Sequence, residues 1–173
     1  MPHRLHGRDF PGSSEYFGQV FNPATGEQLA EVHFANADDV DVIVADSVEA
    51  AASWGSSSLS KRTEILFSFR ALVASNANKL AAAIAEEHGK VLSDALGEIA
   101  RGLENVEYAC GLAEHLKGSF SSEVSTGVDV ASTLEPLGVV AGITLFNFPV
   151  MVPLWMAANA IACGNAFLLK PSE

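Results

Sequence analysis

Positive charge is scarce in this sequence. Lys plus Arg number 10 against 21 Asp plus Glu, a net charge of −11 over 173 residues. A chain that acidic presents no broad cationic face, which argues against a non-specific nucleic-acid binder and against docking on anionic membranes. Cysteine is scarcer still. Cys110 and Cys163 match no metal or redox spacing and are too few for a disulfide framework, so a reducing, cytoplasmic setting is expected. The five histidines (His3, His6, His33, His88 and His115) form no ligand pair at helical or hairpin spacing, so no zinc site is expected. Neither GxGxxG nor P-loop spacing occurs, and the common phosphate-binding fingerprints are thereby missing. The basic residues near the start are followed by no apolar run, so no secretory signal is read there.

Charge is absent altogether between Glu135 and Lys170. A stretch of that length can span a bilayer. This one carries Pro149 and Pro153 in its middle, with Asn147, Asn159 and Asn165 around them. In lipid, nothing would replace the backbone hydrogen bonds that two prolines break. A buried segment of a folded domain is the better reading, and no membrane partner is expected. With 49% hydrophobic residues and a mean hydropathy of +0.23, the chain has ample material for a core.

Two short strands are expected in 15–34, around the turn-forming Asn22-Pro-Ala-Thr-Gly26. Asn36 is placed to cap a helix with Asp38, Asp39 and Asp41 in its first turns. A loop at 55–60 precedes a second helix, and a third over 79–87 ends at Gly89. Leu96, Ile99, Leu103, Val106, Cys110 and Ala113 recur every three or four residues, which predicts a long fourth helix running to Gly118. The Ser, Thr and Val pattern after residue 119, with Gly127, predicts a hairpin leaving the main body. In the uncharged block, 138–143 reads as a strand buried on both faces, 150–163 as a helix and 166–169 as a second strand. Strand, helix, strand is a βαβ unit of a parallel sheet. The fold class is therefore α/β. The expected divisions are a hairpin-and-helix part at 1–118, a hairpin at 119–135 and a βαβ unit at 136–173 whose further strands the chain does not supply, a truncated domain.

Ligands of open α/β sheets bind beyond the carboxyl ends of the strands. Asn147 follows the first buried strand. Its neutral amide can stabilise an oxyanion without collapsing into an ion pair; a loop asparagine bonded to backbone is the alternative. Lys170 and Glu173 follow the second strand and can bracket vicinal sugar hydroxyls, or simply be solvated. Arg101, one turn beyond Glu98, reads either as its surface partner or as a fork for a substrate carboxylate. Cys163 is expected to be a small core residue rather than a nucleophile.

Pro136-Leu-Gly-Val-Val-Ala-Gly-Ile-Thr-Leu-Phe-Asn-Phe-Pro149, Val152-Pro-Leu-Trp-Met156 and Ala160-Ile-Ala-Cys-Gly-Asn-Ala-Phe-Leu-Leu-Lys-Pro-Ser-Glu173 together resemble the aldehyde dehydrogenase superfamily. Glu87-His-Gly-Lys90 and the segment from Asp94 to Cys110 resemble its CoA-acylating, methylmalonate-semialdehyde-oxidising branch. The likeness runs from about Phe21 to Glu173 and covers the N-terminal third or so of such an enzyme. It implies oxidation of a carboxylated semialdehyde to an acyl-CoA, with NAD as cofactor and CoA as acyl acceptor. Asn147 would complete an oxyanion hole, and Ile143, Thr144 and Phe146 would line the nicotinamide side of the cofactor cleft. Lys170 and Glu173 would hold the adenosine ribose, Arg101 would bind the substrate carboxylate, and the hairpin at 119–135 would join subunits of a homo-oligomer. Leu145 stands where the family often has proline. The family's catalytic cysteine, general-base glutamate and second glycine-containing loop match nothing in this chain, which is expected to be inactive and weakly stable by itself. The resemblance leaves two alternatives: a non-acylating aldehyde dehydrogenase, or a remnant that acts only through subunit contacts.

Overall fold

His6 and Gly7 both take positive φ, the geometry of a tight two-residue hairpin turn. In the computed structural model, which describes residues 1–172, they join strands β1 (His3–Leu5) and β2 (Arg8–Phe10). No strand is expected there from pattern, since a histidine stands where such turns favour asparagine or glycine. The expected pair follows as β3 (Phe17–Phe21) and β4 (Gln28–His33), antiparallel around the turn at 22–26.

Asn36 caps helix α1 (Ala37–Gly55) through the Asp39 N–H, while the Asp39 carboxylate accepts from the Asn36 N–H. Asp39 also accepts from the Ser13 N–H and hydroxyl, which ties the N-terminal segment to the helix. Helix α2 (Leu59–Ser75) begins earlier than expected because Ser58 supplies its cap. Helix α3 (Ala77–His88) ends at a left-handed Gly89. Helix α4 (Leu92–Cys110) stops well short of Gly118: at Gly111 the backbone bonds back to Tyr108, and 112–114 tighten into a 3-10 turn. The hairpin of β5 (Ser119–Ser125) and β6 (Val128–Ser132) then stands out as expected, with both strands exposed throughout.

Strand β7 (Val139–Ile143), helix α5 (Met151–Ala162) and strand β8 (Ala166–Lys170) form the βαβ unit, with β7 and β8 parallel and paired from Val139–Ala166 to Ile143–Lys170. The α/β class therefore holds. One expectation about this unit fails. Ala141 and Ile143 are exposed, so β7 is not buried on both faces; among the described residues the sheet has two strands and one of its faces stays partly open.

The core lies among the helices, where Leu66, Val73, Ile84, Ile99, Val106, Leu154 and Ala158 pack together. Gly102 lets α4 and α5 meet closely: a Cβ there would lie 2.7 Å from Leu154 Cδ1 and 3.3 Å from Met151 Cα. At the far end of α5, buried Arg62 donates to the carbonyls of Gly55, Ser57 and Ala162, and the Trp54 indole donates to the Ile161 carbonyl. Among the described residues no helix is long and apolar enough to cross a membrane.

Candidate active site

The parallel register sets Ile143 and Lys170 side by side at the carboxyl edge of the sheet, and the Thr144 N–H extends the ladder to the Lys170 carbonyl at 3.1 Å. Ile143 is 75% exposed and Phe146 68% exposed, so this edge presents apolar surface. Thr144 is buried at 7% exposure, and its hydroxyl finds no hydrogen-bond partner among the described residues. A buried hydroxyl without a partner costs about 1–3 kcal/mol. Phe146 stacks on His88 with centroids 6.3 Å apart. Four of the cofactor residues named from sequence thus gather at or just beyond one strand edge. The fifth, Glu173, lies outside the described residues.

Asn147 sits in the turn between β7 and α5, exposed, and its side-chain amide has no hydrogen-bond partner among the described residues. Its carbonyl is held instead, by the Lys90 ammonium at 2.7 Å. Lys90 also lies 4.5 Å over the Phe148 ring and pairs at 2.5 Å with Glu98. Glu98 is fully buried, and its other oxygen accepts from the N–H groups of Val150 (2.8 Å) and Met151 (3.1 Å). Val150, the N-cap of α5, has no side chain able to cap, so a carboxylate from α4 does it. Burial by itself would push the Glu98 carboxyl up; the Lys90 ammonium and the two backbone N–H groups outweigh it and hold the carboxyl below its ordinary range.

Glu98 is therefore not the surface partner of Arg101. It shares the buried stripe of α4 with Ala95, Ile99, Gly102 and Val106, and that stripe faces inward. Arg101 lies off it, exposed, with its Nε 3.5 Å from the Met151 sulfur and its guanidinium carbon 5.8 Å from the Phe148 ring centroid. The Trp155 indole donates to the Arg101 carbonyl and fixes this turn of α4 on α5. Arg101 and Asn147 both line an open cleft of about 390 Å³, with His88, Lys90, Ser93, Asp94, Gly97 and Phe148. A guanidinium and a neutral side-chain amide thus line the same cleft. Cys163, named from sequence as a core residue, is half-buried and lines a separate apolar groove, while Cys110 is buried.

From sequence Glu98 enters only as a possible surface partner of Arg101 and Lys90 only within the Glu87-His-Gly-Lys90 motif; neither is expected at the Asn147 turn. The signal for Glu98 was its place on the apolar stripe, since a carboxylate buried at that position needs donors. Lys90 had no such signal, because its reach to Asn147 crosses from the α3–α4 connection to a turn far along the chain.

Malonate-semialdehyde dehydrogenase of Pseudomonas aeruginosa is 45% identical over 99% of this chain and 34% of its own length. The mitochondrial acylating methylmalonate-semialdehyde dehydrogenase of Arabidopsis thaliana is 42% identical over the whole chain and 28% of its own length. The chain thus spans about a third of the length of the curated relatives it matches. Two crystal structures named as methylmalonate-semialdehyde dehydrogenases superpose over the full chain. That from Sinorhizobium meliloti, complexed with NAD, has a TM-score of 0.93 at 40% identity and is covered over 36%. That from Oceanimonas doudoroffii has a TM-score of 0.91 at 45% identity and is covered over 35%. The aldehyde dehydrogenase family model matches residues 11–173. The chain belongs to the aldehyde dehydrogenase family.

Proposed function

We propose that this chain supplies the oxyanion, substrate-carboxylate and part of the cofactor-binding residues for NAD-dependent oxidation of malonate or methylmalonate semialdehyde to an acyl-CoA. The observation that carries the reading is the cleft that Arg101 and Asn147 both line. Arg101 would take the substrate carboxylate and so orient the aldehyde carbonyl toward Asn147. The Asn147 amide would donate to the oxygen as negative charge develops on it. The names of the relatives support the semialdehyde, and the acylating name of the Arabidopsis enzyme supports CoA as acceptor.

The residues at the strand edge fit a dinucleotide. The unpartnered Thr144 hydroxyl offers a hydrogen bond, and exposed Ile143 and Phe146 offer apolar cover for a flat ring. Lys170, with Glu173, would take the ribose hydroxyls, and a carboxylate at 173 would disfavour a 2′-phosphate. NAD, when bound, supplies the hydride acceptor. We further assign 1–118 and 136–173 to the cofactor-binding part, and the hairpin at 119–135 to subunit contact in a homo-oligomer. Exposed Phe120, Val124, Val128 and Val130 on both of its strands support the hairpin assignment. Two free cysteines fit a cytoplasmic setting.

The test is a hybrid enzyme that joins residues 1–173 to the remaining two-thirds of the P. aeruginosa relative. Asn147→Ala should lower kcat by about 10²–10³-fold. Arg101→Leu should raise KM for carboxylated aldehydes and spare simple ones. An unchanged kcat in the first, or equal effects on both aldehydes in the second, refutes the assignment.

A further inference from the structure

The turn that carries Asn147 is held from outside itself. Its carbonyl is anchored by Lys90, its following ring lies beneath the same ammonium, and the helix it leads into starts on the Glu98 carboxylate. Lys90 thus has its charge partner on one side and the Asn147 peptide on the other, with only 16% of its side chain exposed. An ion pair that served stability alone would have no need of the Asn147 carbonyl.

We infer that Lys90 and Glu98 are positioning residues for the Asn147 amide: Glu98 fixes the Lys90 ammonium and the start of α5, and Lys90 fixes the Asn147 peptide between them. The inference rests on the oxyanion reading of Asn147. Holding the peptide carbonyl at 2.7 Å limits rotation of the turn, so the backbone from which the Asn147 side chain projects is placed before substrate arrives. Loss of this tether would leave the cleft and its arginine in place but let the donor wander.

A double-mutant cycle in the hybrid enzyme tests this. The neutral pair Lys90→Met with Glu98→Gln removes the tether yet keeps a side-chain oxygen to accept from Val150 and Met151, so α5 remains capped. Displacements on the scale of 1 Å can cost about 100-fold in rate, and this more limited loosening should lower kcat about tenfold with KM for the semialdehyde within about twofold. In an Asn147→Ala background the same pair should change kcat by less than about twofold, because nothing is left to position. A tenfold loss that persists in that background overturns the positioning role and leaves the oxyanion role standing. An undiminished kcat for the neutral pair overturns the positioning role as well. An undiminished kcat for Asn147→Ala overturns the oxyanion reading and this inference with it. Should the neutral pair fail to fold, Lys90→Arg keeps Glu98 paired while its wider fork displaces the donor from the Asn147 carbonyl, and the same cycle decides.

Discussion

Replacing Glu98 by alanine should be among the most damaging single changes in the chain. The carboxylate accepts three hydrogen bonds, two from the backbone N–H groups that open α5 and one from Lys90. Alanine reaches none of them. Each N–H left buried without an acceptor costs about 1–3 kcal/mol. Lys90 loses its counter-ion but keeps the Asn147 carbonyl and some contact with water, which softens its share. Relief of the buried carboxylate's own desolvation offsets part of the total. Breaking one side of a buried pair costs about 3–5 kcal/mol on balance, a large part of the 5–15 kcal/mol by which a domain is usually stable. Urea unfolding followed by far-ultraviolet circular dichroism at pH 7 measures it. With a slope near 2 kcal/mol per molar, the midpoint should fall by about 1.5–2.5 M at unchanged slope. Glu104, exposed on the same helix, is the control, and Glu104→Ala should stay within about 0.5 kcal/mol of the parent. A Glu98→Ala midpoint indistinguishable from that control would refute the claim that this carboxylate caps α5.

Two other outcomes follow from the same packing. Gly102→Val should destabilise by about 1–3 kcal/mol through overpacking against Leu154 and the Met151 backbone, and an unchanged melting temperature would show that α4 and α5 have room to part. Glu98 also makes stability depend on pH with a definite sign. Its folded pKa lies below the ordinary value of 4.5, so its contribution is complete above that value and is lost as pH falls through the lower, folded one. As pH falls below 4.5 the parent should therefore lose stability more steeply than Glu98→Gln, and equal slopes in urea midpoint against pH would contradict a lowered Glu98 pKa.

Much of this architecture was legible from local chemistry. Asn36 with Asp39, the turn at 22–26, Gly89 after α3 and the apolar runs flanking 150–163 each announce their element within a few residues. What was not legible depends on partners distant in sequence. The periodicity through Ala113 continues past the end of α4, but at Gly111 the backbone closes into a 3-10 turn. The apolar composition of β7 suggests two buried faces, whereas burial depends on neighbours that these residues do not provide. Asn147 and Arg101 stand out as candidates from motif and chemistry, but their common cleft does not, because α4 and the β7–α5 turn meet only in the folded chain. Spacing alone pairs Arg101 with Glu98 one turn away. Packing separates them, since one residue on an inward stripe and another off it share no solvent.

The turn at 144–150 is bounded by two fixed points. At one end the ladder with β8 determines which way Thr144 faces, and at the other the Glu98 carboxylate determines where α5 begins. Between such points the length of the turn is constrained whatever its side chains do. One residue more or fewer would either slip β7 and turn Thr144 out of the protein, or start α5 on a different N–H and rotate its buried face. Insertions and deletions, which surface loops usually absorb without consequence, are therefore closed to this one.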